Sequence, residues 1–184
     1  MYHSALKSFK QYDKESYGFE TSSITGLIFD IETDSIPEVF YKAEFVYLEF
    51  PYRKGYEVFN DRVNKKGVGF GYLQLMTLEI LNKLDKPFYI IAEKRMPILE
   101  PLLVDSIYYS AHKCDTYLYS NKPIKAKSTN ELQSLLFQTY NIGLDFMCGY
   151  GNIVGTALEH NKKVIVSDIN PKCLGYIYEN LQEK

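Results

Sequence analysis

The 184-residue chain has no tryptophan, only three cysteines and almost no net charge. Cys114, Cys148 and Cys173 are odd in number and unrelated in spacing, which excludes a disulfide framework and a zinc pattern. A formal charge of −2 excludes a global pull toward nucleic acid or anionic lipid and leaves such partners only a local basic patch. No apolar run approaches the roughly 18–20 residues of a membrane span. MYHSALKSFKQYDKE at the N-terminus has no apolar segment of secretory-signal type. A reducing, cytoplasmic setting without a membrane partner is expected. Internal repeats and low-complexity tracts are also lacking.

What is present is a globular balance, 46% hydrophobic and 24% charged, in a length that suits one core. The oddity is 17 tyrosines, which read first as half-buried strand residues. Residues 1–24 are polar and aperiodic and predict an arm; residues 25–184 predict a single domain. Gly26–Glu32, Glu44–Phe50 and Pro87–Lys94 have the content of buried strands. Ser35–Ala43 reads as one or two helical turns. Gly71–Lys86 reads as a helix with Leu73, Met76, Ile80 and Leu84 on one face. Ser106–Ala111 and Cys114–Ser120 predict an antiparallel hairpin about His112-Lys113. Ser128 or Thr129 can cap a helix through Glu131–Tyr140. Strand and helix then alternate over Gly143–Asp145, Ile153–His160, Lys163–Ser167 and Pro171–Leu181, a pattern of parallel crossovers covered on both faces. The fold class is α/β. His112 and His160 have structural readings, the latter at a helix end where it suits the dipole.

Asp145 ends one strand, Gly149 and Gly151 form a loop, and Asp168 ends the next strand. Glycines let a backbone approach a ligand, and a helix start offers free N–H donors. An acid at the second strand tip is placed to accept hydrogen bonds from a ribose diol. The loop lacks the Gly-Lys-Ser/Thr ending of a phosphate loop. It also lacks the dinucleotide spacing, since Gly155 follows Gly151 by four residues. Asp145 would repel a pyrophosphate and suit an ammonium group. An adenosine joined to an amino acid, S-adenosylmethionine, meets these demands.

DFMCGYGN…VIVSDINPKCL resembles the cofactor motif of the DNA amino-methyltransferases of adenine-N6 and cytosine-N4 type. That motif is Asp-Pro-Phe-x-Gly-Ser-Gly followed by Glu/Asp-Ile-Asn-Pro. Asp145, Gly149, Gly151, Asp168, Asn170 and Pro171 match it, while Phe146, Met147 and Tyr150 replace Pro, Phe and Ser. The resemblance implies that Asp145, Phe146, Cys148, Gly149 and Gly151 surround the methionine moiety. It implies that Asp168, with Ile169 and Asn170, holds the ribose, and that Lys127 and Ser128 touch the cofactor from the preceding linker. Glu49-Phe50-Pro51-Tyr52 lies where the family has Asp/Asn/Ser-Pro-Pro-Tyr/Phe/Trp. A catalytic half before a cofactor half resembles the circularly permuted branch. Over residues 25–181 this implies a methyltransferase Rossmann-like sheet of seven strands in the order 3-2-1-4-5-7-6. Helices would cover both faces, with an antiparallel hairpin at one edge.

The implied reaction is methyl transfer to an exocyclic amino group of a nucleic-acid base, DNA adenine first. Such an amine is a poor nucleophile because its lone pair is delocalised into the ring. In this reading the Glu49 carboxylate and the Phe50 carbonyl hydrogen-bond the amine, Pro51 closes the strand, and Tyr52 stacks on the base. Cys148 is misplaced for the thiol of cytosine ring methylation. Glu is one methylene longer than Asp, and a shift of roughly 1 Å can cost on the order of 100-fold in rate. The alternative is therefore a protein of this fold that binds or consumes S-adenosylmethionine without methylating nucleic acid, as an accessory subunit or on a small molecule. Residues 52–70 form a long basic segment in which Arg53, Lys54, Arg62, Lys65 and Lys66 are natural phosphate contacts, if not simply a solvated loop. A protein partner or a homodimer is a further expectation, and no metal is.

Overall fold

The computed structural model describes residues 18–50, 69–110 and 113–182. Pro51, Tyr52 and the basic residues Arg53, Lys54, Arg62, Lys65 and Lys66 lie outside the described residues, as does His112.

Eight strands make one sheet. In chain order they are β1 (Gly18–Glu20), β2 (Ile24–Ile28), β3 (Phe45–Phe50), β4 (Phe88–Ala92), β5 (Leu103–Tyr109), β6 (Cys114–Ser120), β7 (Ile142–Asp145) and β8 (Lys163–Asp168). The spatial order is β1-β2-β8-β7-β3-β4-β6-β5. β2, β8, β7, β3 and β4 are mutually parallel, and β6 and β5 continue antiparallel as the expected hairpin.

The expected seven strands become eight because β1, inside the stretch read as an arm, adds antiparallel to β2. The sequence signal there was weak for a physical reason. Phe19 pairs with Gly26, and a Cβ on Gly26 would lie 2.2 Å from the Phe19 ring. The strand is held by a ring laid over a bare backbone, a cross-strand device with no periodicity of its own.

Helices α1 (Phe70–Leu84), α2 (Thr129–Thr139), α3 (Asn152–Glu159) and α4 (Pro171–Gln182) cover the two faces, with 3-10 turns at Glu38–Lys42 and Pro97–Leu102. Leu132, Leu136 and Phe137 of α2, Ile153 and Ala157 of α3, and Leu174 and Ile177 of α4 pack on Phe45, Tyr47, Val164 and Val166. On the other face Leu73, Ile80, Leu81 and Leu84 of α1 pack with Val46, Leu48, Ile90 and Ile165. The buried face of α1 passes through Thr77 rather than the expected Met76. The Thr77 hydroxyl can be buried because it donates to the Leu73 carbonyl at 2.8 Å. α2 starts with a side-chain cap, the Ser128 hydroxyl accepting from the Glu131 N–H at 3.3 Å. The Glu131 carboxylate in turn accepts from the Lys127 N–H at 2.6 Å.

Parallel pairing sends the C-terminal ends of β2, β8, β7, β3 and β4 to the same edge of the sheet. From β7 the chain crosses through α3 to β8 on one side, whereas β3 leads to β4 on the other. Such a reversal leaves a crevice outside the strand ends, where open α/β sheets bind ligands.

Candidate functional site

Carboxylates gather along this edge, among them Asp30 just beyond β2, Asp168 ending β8, Asp145 ending β7, and Glu49 near the end of β3. Asp145, Asp168 and Asp30 are buried, and Glu49 is half-buried. Burying anions side by side is costly unless their charge is compensated. Burial pushes Asp145 well above the usual carboxylate range, and the nearby Glu49 and Asp168 charges push the same way. The Met147 N–H, donating to Asp145 Oδ1 at 3.0 Å, works against this. Asp168 is pushed up to about 6 by burial, against the pull of the Asn170 and Gly149 N–H groups. A cationic ligand at this edge would stabilise the ionised forms of Asp145 and Asp168.

The loop after Asp145 folds back over the tip of β8. The Cys148 N–H donates to the Ser167 carbonyl at 3.0 Å, and the Gly149 N–H to Asp168 Oδ2 at 2.9 Å. The Asn170 N–H donates to Asp168 Oδ1 at 2.8 Å, so one carboxylate pins both loops. Gly149 and Gly151 have φ of +50° and +77°. At Gly149 a Cβ would meet nothing within 4 Å, so bare backbone faces open space. At Gly151 a Cβ would lie 2.7 Å from Ile177, so this glycine serves the close approach of α4.

The other residues singled out from sequence divide. Phe146 points into the core, stacked on Phe40 with centroids 6.1 Å apart and edge-on to Phe29. Cys148 is buried, and burial pushes its thiol up, as do the nearby aspartates, which makes it inert as a nucleophile. Ile169 is half-buried and Asn170 buried beside Asp168. Ser128 caps α2, and Lys127 is exposed, its carbonyl accepting from the Tyr108 N–H at 3.1 Å. His160 is a structural neighbour of Ser134, Nε2 to Oγ 2.9 Å.

Glu49 comes from a distant part of the sequence and meets the loop directly. The Asn152 amide nitrogen, one residue after Gly151, donates to Glu49 Oε2 at 2.7 Å. Tyr109 at the end of β5 donates its hydroxyl to the same oxygen, and Tyr47 donates to Oε1 at 2.8 Å. Burial first, and the Glu49 charge second, push both phenols upward, so they remain protonated donors at physiological pH. Below Glu49 a polar cavity of about 370 Å³ runs between α2 and α3, lined by Thr129, Gln133, Asn152 and Thr156 among others. Tyr47, Tyr109, Asn152 and Asp30 escape the sequence reading. Asn152 alone carried a local signal, as the polar residue closing GYGN.

The sheet order and its flanking helices define the methyltransferase fold. No family model matches the chain, and no curated protein matches it in sequence. Among solved structures it is similar to M1.HpyAVI, at 11% identity and a TM-score of 0.53, covering 86% of this chain and 98% of that one. It is similar to TTHA0409 of Thermus thermophilus, a putative DNA modification methylase crystallised with S-adenosyl-L-methionine, at 12% identity and a TM-score of 0.54 over 88% and 95% of the two chains. It is also similar to the cytosine-N4-specific PvuII DNA methyltransferase, at 11% identity and a TM-score of 0.54 over 89% and 91%. At these identities the likeness shows the fold.

Proposed function

We propose that this chain is an S-adenosylmethionine-dependent methyltransferase acting on an exocyclic amino group of a nucleic-acid base, with DNA adenine as the first substrate to try. The observation that carries the reading is the 2.7 Å hydrogen bond between Glu49 and Asn152. It joins the tetrapeptide expected to hold the acceptor to the loop expected to hold the cofactor, 103 residues further along the chain. The similar folds include DNA methyltransferases, one of them with S-adenosyl-L-methionine bound, which supports the same cofactor and substrate class here. The chain order also fits circular permutation. Numbering strands from β7 as the first turns β2-β8-β7-β3-β4-β6-β5 into 3-2-1-4-5-7-6.

The residues present suit the cofactor. Asp145 would face the positively charged groups of the cofactor, Asp168 would accept from its ribose hydroxyls, and the open backbone at Gly149 would allow a close approach. Bound there, it supplies the electrophilic methyl. Glu49 accepts a hydrogen bond from the target amine and the Phe50 carbonyl a second, drawing nitrogen out of conjugation. Tyr52 stacks on the base, and Arg53, Lys54, Arg62, Lys65 and Lys66 take phosphates. In transfer the amine nitrogen would bond the methyl carbon as the sulfonium–carbon bond breaks to leave a neutral thioether, and the amine proton would pass to water.

Labelled-methyl transfer to duplex DNA, single-stranded DNA, RNA and nucleosides tests this, alongside calorimetry with S-adenosylmethionine. Methyl incorporation into a base amine is expected. Cofactor binding with no label in any nucleic acid would sink the proposal in favour of an accessory or small-molecule role. One observation favours that second reading: the Glu49 carboxylate is already held by three donors within the chain.

A further inference from the structure

Those three donors also suggest why this chain carries Glu rather than the shorter residues of the family it resembles. Tyr47 donates to Oε1, while Tyr109 and Asn152 both donate to Oε2. A carboxylate offers about four lone-pair sites. Oε2 is filled by its two partners, and the remaining capacity lies on Oε1. The donors come from separate elements: β3 itself, the end of the β5 strand 60 residues away, and the first residue of α3. Asn152 also contacts the Tyr109 hydroxyl at 3.4 Å, so the two close on each other as well as on Glu49. A side chain with three rotatable bonds would otherwise sample many positions at the strand tip.

We propose that Tyr109 and Asn152 are positioning residues that aim the Glu49 carboxylate, so that Oε1 alone faces the substrate amine and the longer side chain is the working one. The inference rests on the transferase reading above. Shortening the side chain to Asp withdraws the carboxylate by about one C–C bond, roughly 1.5 Å, and takes Oε2 away from both donors. Restoring the family's residue is then harmful in this chain. Were Glu49 merely an imperfect Asp, the same change would be neutral or helpful.

The test measures kcat and KM for the nucleic acid that wild type methylates, with cofactor affinity by calorimetry, in wild type, Glu49→Asp, Tyr109→Phe and Asn152→Ala. Glu49→Asp and Tyr109→Phe are each expected to lower kcat about 10- to 100-fold, with KM and cofactor affinity within about threefold of wild type. Asn152→Ala is expected to lower kcat about 3- to 30-fold. The Glu49→Asp/Tyr109→Phe pair should be little worse than Glu49→Asp alone, since both remove one contact. Asn152 is exposed, so its variant keeps the test decisive should Tyr109→Phe fail to fold. An active wild type with Glu49→Asp as fast or faster, or with Tyr109→Phe and Asn152→Ala unchanged in kcat, overturns the inference alone. A wild type that methylates nothing overturns the transferase reading and this inference with it.

Discussion

At the scale of single residues, Asp168 has the clearest consequences. Its carboxyl titrates near pH 6 in the folded chain against 3.8 ordinarily. Between those values the folded protein holds a proton that the unfolded chain has released. The contribution of Asp168 to the stability of the free protein therefore falls as pH rises from about 4 to about 6, by up to roughly 3 kcal/mol, and is constant above. If Asp168 holds the ribose as proposed, cofactor affinity should run the opposite way, because the ionised carboxylate is the better acceptor for its hydroxyls. Calorimetry from pH 5 to 8 should show affinity rising through about pH 6, and Asp168→Ala should weaken binding about 10- to 100-fold at about pH 7.5. Equal affinity in the alanine variant would remove the ribose assignment. Gly151→Ala combines a left-handed φ with a clash on Ile177. It should cost about 2–4 kcal/mol and lower the thermal midpoint, whereas Gly149→Ala, strained in φ but unopposed in space, should cost about 1–2 kcal/mol.

At the scale of elements, the sheet edge is the most local prediction. β1 is three residues long and covers Gly26 with Phe19, which also packs against Tyr178 of α4 at 5.3 Å. Phe19→Ala should destabilise by about 1–3 kcal/mol and speed amide exchange of β1 and β2 while leaving α1 protected. Equal exchange throughout would show that β1 is not a separate edge unit. The elements also show how far pattern reading goes. Helices α1 to α4 and strands β2 to β8 were legible to within a few residues, from aromatic and branched runs, from the Ser128 cap and from the glycines about Asp145. Strand β5 starts at Leu103, earlier than alternation suggested, through a register shift between Leu103 and Asp105. Such an irregularity depends on the partner strand and leaves no local mark.

At the scale of the whole molecule, five parallel strands bring acids from separate segments to one edge. None of their mutual distances is encoded in spacing along the chain. A ligand that binds only the assembled edge stabilises the folded chain, so saturating S-adenosylmethionine should raise the thermal midpoint, by an amount that grows with the logarithm of its concentration. An unchanged midpoint at millimolar cofactor would count against the site.

The sequence by itself determined the α/β class and the glycine loop between two acid-tipped strands, because each rests on neighbours in the chain: a hydrophobic period, a turn, a cap; Glu49 became a candidate only through the resemblance of its tetrapeptide to a family motif. Only the tertiary structure decided that Glu49 meets Tyr47, Tyr109 and Asn152, that Phe146 faces the core, and that an eighth strand extends the sheet beyond β2. Most of those contacts join residues tens of positions apart, and their geometry is set by strand register and helix packing, which no single segment carries.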